Sequence, residues 1–288
     1  MPRYATQIFS ALAGLLLASS ASAAPAMWEV RDADSAIWVF GSFHVLPEGL
    51  TWRTPLFEET LAAADKIVFE ADVGPDAMAD IGAKGFARGI YTDGTLLTDI
   101  IDDDTEAKLR ALTSTVNVPV GSILAMKPWF AANTLSVLAM SEHGFTAEGV
   151  EFVLQPEIAA PKQGFLETGD QQLDVLSGAP EAEQVAMLES ILDEISSMPK
   201  VLDKMIMNWS RGTPDRLGEV FLSEASAYGD AFLERLIYAR NRNWIPALEA
   251  MLADNQENLV IVGAAHLIGD DSVLDLLEQA GYTVTRIQ

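Results

Sequence analysis

The chain has 288 residues, with 18 Lys and Arg against 42 Asp and Glu, three His and no Cys. A formal charge of −24 repels nucleic acid and anionic membrane surfaces, so neither is an expected partner. The lack of cysteine excludes disulfides, thiolate nucleophiles and cysteine-based zinc sites.

Residues 1–23 read as an export signal, with Arg3 at the front, an apolar run from Ile8 to Ala18 and an A-x-A cleavage site at Ala21-Ser22-Ala23. The run is too short to cross a bilayer and no later stretch is long enough. The expected product is periplasmic or secreted, begins near Ala24 and keeps no stable membrane anchor; losing Arg3 takes its charge to −25. Residues 24–288 suffice for a single domain with a sizeable core.

From Met27 to Gly41, Trp28 and Val30 alternate with Glu29 and Arg31 before a polar turn and a returning strand, which predicts a hairpin. That second strand ends in Gly41-Ser42-Phe43-His44. Thr54 caps a helix opened by Pro55 and running to Ala64. Lys66 to Asp72 reads as a buried strand with Glu70 near its end, an unusual place for an unpartnered carboxylate.

A mostly helical block follows, about 76–254. Helices are expected over 104–116, 118–126, 128–142 and 150–160, then over 181–197, 199–210, 215–226, 231–239 and 244–253. Its Met and aromatic residues fall at helical spacing and read as core. One strand interrupts it at Gly164 to Glu167, followed by a helix from Gln171. The chain closes with a strand at 258–262 leading into Gly263-Ala264-Ala265-His266, a helix over 271–280, and a strand over 282–287 after Gly281. Strands at both ends with helices between predict an α/β or α+β fold: a mixed sheet flanked by helices and carrying a large helical insertion.

Four strands thus end in His44, Glu70, Glu167 and His266. Open α/β sheets bind ligands outside the carboxyl ends of their strands, and two imidazoles with a carboxylate match a catalytic zinc-type donor set. Each glycine is expected to let the backbone turn closely before its histidine. The plainer reading stands beside this one: turn glycines with buried, hydrogen-bonded histidines, and glutamates that cap helices or form ion pairs. His143 reads as a helix C-terminal residue and is left out of the site. No His-Glu-x-x-His, Gly-x-Ser-x-Gly, P-loop or Gly-x-Gly-x-x-Gly is present, and Ser197 to Lys200 matches Ser-x-x-Lys without that motif's partners.

Taken in order, Trp28 to His44, Ile67-Val68-Phe69-Glu70, Lys127-Pro128-Trp129, the block around Glu167 and Gln172, Arg240-Asn241 and Val262 to Gly269 resemble the TraB/GumN family, related to the Tiki metalloproteases and more distantly to erythromycin esterase-like proteins. Gly149-Val150-Glu151 stands where that family's pattern has Gly-Ile-Asp. The resemblance implies a Tiki-like or erythromycin esterase-like fold and metal-dependent, peptidase-like hydrolysis of an amide or ester. His44 and His266 would bind a divalent metal (Zn, Mn or Co), with Glu70 as ligand or base and Glu167 as second carboxylate. Arg240 would stabilise developing negative charge or hold a substrate carboxylate, and Asn241 would orient it. The expected partner is a peptide or small-molecule substrate. A haem- or peptide-binding protein using the same fold without turnover is the alternative.

Overall fold

The computed structural model describes residues 24–288 except 117, 147 and 148, so the export-signal reading lies outside the described residues. Apolar alternation decides the sheet. Its strands in chain order are β1 (Met27–Arg31), β2 (Ala36–Ser42), β3 (Leu46–Pro47), β4 (Lys66–Phe69), β5 (Phe145–Thr146), β6 (Gln163–Phe165), β7 (Asn258–Gly263) and β8 (Thr283–Arg286). Six of them form one mixed sheet in the order β6-β4-β7-β2-β1-β8, while β3 and β5 pair as a separate two-stranded ribbon. β6, β4, β7 and β2 run parallel, and β1 is antiparallel to both its neighbours. The molecule is an α/β protein.

Side chains on a strand point to alternate faces, and here they sort into two cores. Phe40, Ile67, Phe69, Leu259 and Ile261 pack on one face with Phe57, Met205 and Trp209. Val39, Val68, Val260 and Val262 pack on the other with Trp244, Leu248 and Leu277. A third core, built from Leu97, Leu109, Leu135 and Leu188, lies wholly within the helical block.

Thr54 caps the Pro55–Ala63 helix as expected, its side chain accepting from the Phe57 N–H. Four expected elements differ. The helix over 150–160 is α-helical only over Val150–Leu154 and passes into a 3₁₀ turn at Gln155–Glu157, where Pro156 removes a donor. Over 118–126 only Val120–Ser122 forms a 3₁₀ turn. Pro119 removes a donor, and Pro128 holds Lys127 extended at φ −69° and ψ 155°. The expected helices at 231–239 and 244–253 are instead continuous: Asp230–Leu233 is α-helical, Glu234–Tyr238 is a π-turn, and Ala239–Ala253 is α-helical again. Nothing in Arg240-Asn241-Arg242-Asn243 breaks a helix, so these residues lie inside it and not before it.

Candidate active site

Because β6, β4, β7 and β2 are parallel neighbours, their carboxyl ends open on one edge of the sheet. Glu167, Glu70, His266 and His44 follow these strands in that lateral order. The sheet alone therefore brings together the four residues read from the sequence.

The two motif glycines keep ordinary negative-φ backbones, so they are not needed for turning. They are needed for room. A Cβ on Gly41 would sit 3.2 Å from Ala264 Cβ, and one on Gly263 would sit 3.1 Å from Glu70 Oε1 and 3.2 Å from His44 Nε2. Each glycine thus lets the opposite motif approach, and His44 Nε2, Glu70 Oε1 and the His266 ring converge beside the Gly263 backbone. The β2 end is pinned from one core by Trp209, whose indole N–H donates to the Gly41 carbonyl at 2.7 Å.

His266 is 3 % exposed on a 3₁₀ turn after β7. Asn241, fully buried, donates from Nδ2 to the Asp271 carbonyl, which leaves Oδ1 to accept from His266 Nδ1 at 2.6 Å. The proton is therefore on Nδ1, and the Nε2 lone pair faces the site, where Arg240 Nη1 donates to it at 3.1 Å. Asn241 orients His266, not Arg240 as the sequence suggested. Burial, first of all, drives His266 down to about 3, with Glu70 opposing and Arg240 and His44 adding to the shift.

Arg240 is the hub. Its Nε donates to both Glu167 oxygens at 3.0 and 3.1 Å, Nη2 donates to Glu70 Oε2 at 2.6 Å, and Nη1 also reaches the Leu236 carbonyl at 3.0 Å. That carbonyl belongs to the π-turn immediately before Arg240, the kind of irregularity that recurs at functional sites. Trp244, one turn further on, donates to Glu167 Oε1 at 2.8 Å and lies under the guanidinium, 5.0 Å from ring centre to Cζ. Glu70 also accepts from the Gly263 N–H at 2.6 Å. Burial alone would push Glu70 up, but His266, Arg240, His44 and the Gly263 N–H outweigh it and hold the carboxyl at about 2. Since His266 is neutral above about 3, Arg240 is the cation that pairs with Glu70 at neutral pH.

Sequence reasoning noted Glu151 but left it out of the site. It is 3 % exposed, hydrogen-bonded to Ser42 Oγ, and 3.1 Å from His44 Nδ1. The contact with His44 is ionic and not a well-angled hydrogen bond, because no donor is aligned on Glu151 Oε2. Its charge, first of all, raises His44 to about 9, against the cost of burial. The His44 side chain is 58 % exposed, so solvent screens the pair. Gly149 makes this contact possible. A Cβ there would collide with the His44 backbone, and Val150 N–H donates to the Phe43 carbonyl at 3.0 Å. Gly-Val-Glu is thus a bracket that seats Glu151 under the His44 loop.

A family model described as the TraB/PrgY/gumN family matches residues 26–286. The chain belongs to the TraB/PrgY/gumN family. No curated protein and no solved structure shows a significant match. In this family member the matched span contains every residue of the cluster just described.

The donor set suits a divalent cation in type and in charge. His266 has Nδ1 hydrogen-bonded and Nε2 facing the site, the usual arrangement behind metal-bound histidine, and His44 places Nε2 beside Gly263 with Nδ1 3.1 Å from Glu151. With both imidazoles neutral, the carboxylates of Glu70, Glu151 and Glu167 face one guanidinium, leaving two buried negative charges to be compensated. His44, His266 and Glu70 would hold the ion, and the contact it would displace is that of Arg240 Nη1 with His266 Nε2.

Proposed function

We propose that this TraB/PrgY/gumN protein is an exported metal-dependent hydrolase that cleaves an amide or ester bond, as a peptidase-like enzyme would. The observation that carries the reading is the pair of imidazoles converging with Glu70 Oε1 beside the Gly263 backbone, His266 held through Nδ1 by Asn241 and His44 with its Nδ1 facing Glu151. A bound Zn²⁺, Mn²⁺ or Co²⁺ would polarise the scissile carbonyl and acidify water. The chain's own residues do the rest. Glu70, ionised and held by Arg240 and the Gly263 N–H beside both imidazoles, would serve as a ligand. Arg240 keeps its charge beside the site, where negative charge would develop on the carbonyl oxygen. His44 lies at the pocket mouth and opens the bound substrate's path to solvent. In the reaction, water oxygen bonds to the acyl carbon, the carbon–heteroatom bond breaks, and the heteroatom leaves with a proton.

Export rests on the reading of residues 1–23, and no helix among the described residues is long and apolar enough to cross a membrane. The test is metal content of the purified protein by mass spectrometry, for wild type, His44→Ala and His266→Ala, alongside turnover of labelled amides and esters. Near-stoichiometric metal that is lost in both variants, together with turnover, supports the reading. A wild type that neither carries nor takes up metal rejects it. The apolar walls of the pocket favour one alternative, a haem-binding protein without turnover, which would bind its ligand through the same histidines and hydrolyse nothing.

A further inference from the structure

Two cavities meet at this site. The first, about 250 Å³, has Ser42, His44, Arg240 and His266 at its polar end and Met205, Leu217, Phe221, Leu236 and Ile237 along its length. The second, about 320 Å³, is a more open groove on the helical block, walled by Leu176, Met187, Ile191, Tyr228 and Phe232. They share Met205, Phe221 and Leu236, so the second adjoins the first across these side chains. Together they have the size of a small-molecule site and not of a packing defect.

The distribution of polar groups narrows the occupant. An extended peptide exposes an N–H and a C=O at every residue, and each must find a partner when buried. Beyond the histidine end the first cavity offers only apolar side chains, and the second adds Asn133, Ser136 and Glu224. A hydrocarbon chain has no such need, and each methylene taken out of water adds affinity.

We infer that the two adjoining cavities together form an acyl-chain channel: the substrate carries a linear alkyl chain whose carbonyl lies at His44, His266 and Arg240 and whose tail passes Met205, Phe221 and Leu236 into the groove on the helical block. The nature of the cleaved bond rests on the hydrolase reading; the channel does not.

The test uses linear methyl ketones from five to thirteen carbons, which present a carbonyl and a chain but no cleavable bond, titrated into the full mature protein by calorimetry. Affinity should rise by roughly three- to fourfold per methylene and then level off when the channel is full. Ser136→Phe and Asn133→Trp both narrow the far cavity away from the histidines, and the Ser136 hydroxyl donates to the Ala132 carbonyl. In whichever variant keeps the wild-type circular dichroism, the levelling point should move to shorter chains while the five-carbon ketone binds unchanged. Affinity independent of chain length in the wild type, or a levelling point unmoved in folded variants, overturns the channel. Steep chain-length dependence without turnover of matched decanoyl amides and esters would keep the channel and reject the hydrolase. Turnover of short substrates with flat ketone binding would do the reverse.

Discussion

At the scale of single residues, Glu151 and Arg240 do most to set the electrostatics. Glu151→Gln keeps the shape and removes the charge that raises His44. The His44 pKa should then fall from about 9 toward 6.5, followed by NMR of the imidazole protons in metal-free protein; an unchanged titration would show that another group raises it. Since a metal must displace that proton in the wild type, metal affinity should climb with pH up to about 9. Arg240 pairs with two carboxylates that are each about 5 % exposed at the side chain. Arg240→Leu strands both charges and should cost about 3–5 kcal/mol of stability, measured by urea unfolding. A loss below about 1 kcal/mol would mean that the pairs are solvated. The four strand-end residues were legible in the sequence because each follows an apolar run within three residues of its end. Glu151 was not, because its partners Ser42 and His44 lie more than a hundred positions earlier and no local pattern announces the pairing.

At the scale of elements, the bracket at residues 149–151 and the π-turn at Glu234–Tyr238 hold the site from opposite sides. Gly149→Ala forces a methyl into the His44 backbone. It should lower stability by about 1–3 kcal/mol and weaken metal uptake, whereas Gly121→Ala, with open space around it, should leave metal uptake unchanged. Paired melting curves and metal titrations would check this, and equal effects at the two glycines would contradict the bracket. Helices and strands with strong periodicity were readable, including the hairpin and the Thr54 cap. The π-turn was invisible because one extra residue in a turn leaves no compositional trace, and the polar run Arg240–Asn243 looked like a break when it continues a helix, with Arg240 and Asn241 turned to the site and Arg242 and Asn243 to solvent. The stretch at 118–126 failed in the opposite sense, its apolar spacing imitating a helix that two flanking prolines prevent.

At the scale of the whole molecule, the buried cluster makes stability respond to pH in a definite way. His266 is lowered from 6.5 to about 3, so below pH 6.5 the unfolded chain takes up a proton that the folded one refuses, and stability falls as pH drops. Glu70 is lowered from 4.5 to about 2, and its contribution, complete above 4.5, is lost as pH falls toward 2. His44 acts oppositely, being raised to about 9: its contribution is complete below 6.5 and is lost as pH rises through 9. Metal-free protein should therefore be most stable near pH 6.5, and His266→Gln should flatten the limb between 6.5 and 4.5 in thermal melts. An acid limb of wild-type steepness in that variant would place the titrating group elsewhere. With a net charge of −24, added salt should also raise the melting temperature by screening self-repulsion.

The strand order carries one more consequence. β7 lies between β2 and β4, yet it is synthesised some two hundred residues after either, so the hairpin and β4 have no common neighbour until the last part of the chain arrives. Closing so long a loop makes the sheet a late and slow event, with its hydrophobic faces open in the meantime. The helical block has its own core and can collapse first. Nascent chains should accordingly show protected amides in the helices well before β2 and β4, and arresting synthesis before Asn258 should leave a helical intermediate that binds chaperones and no metal.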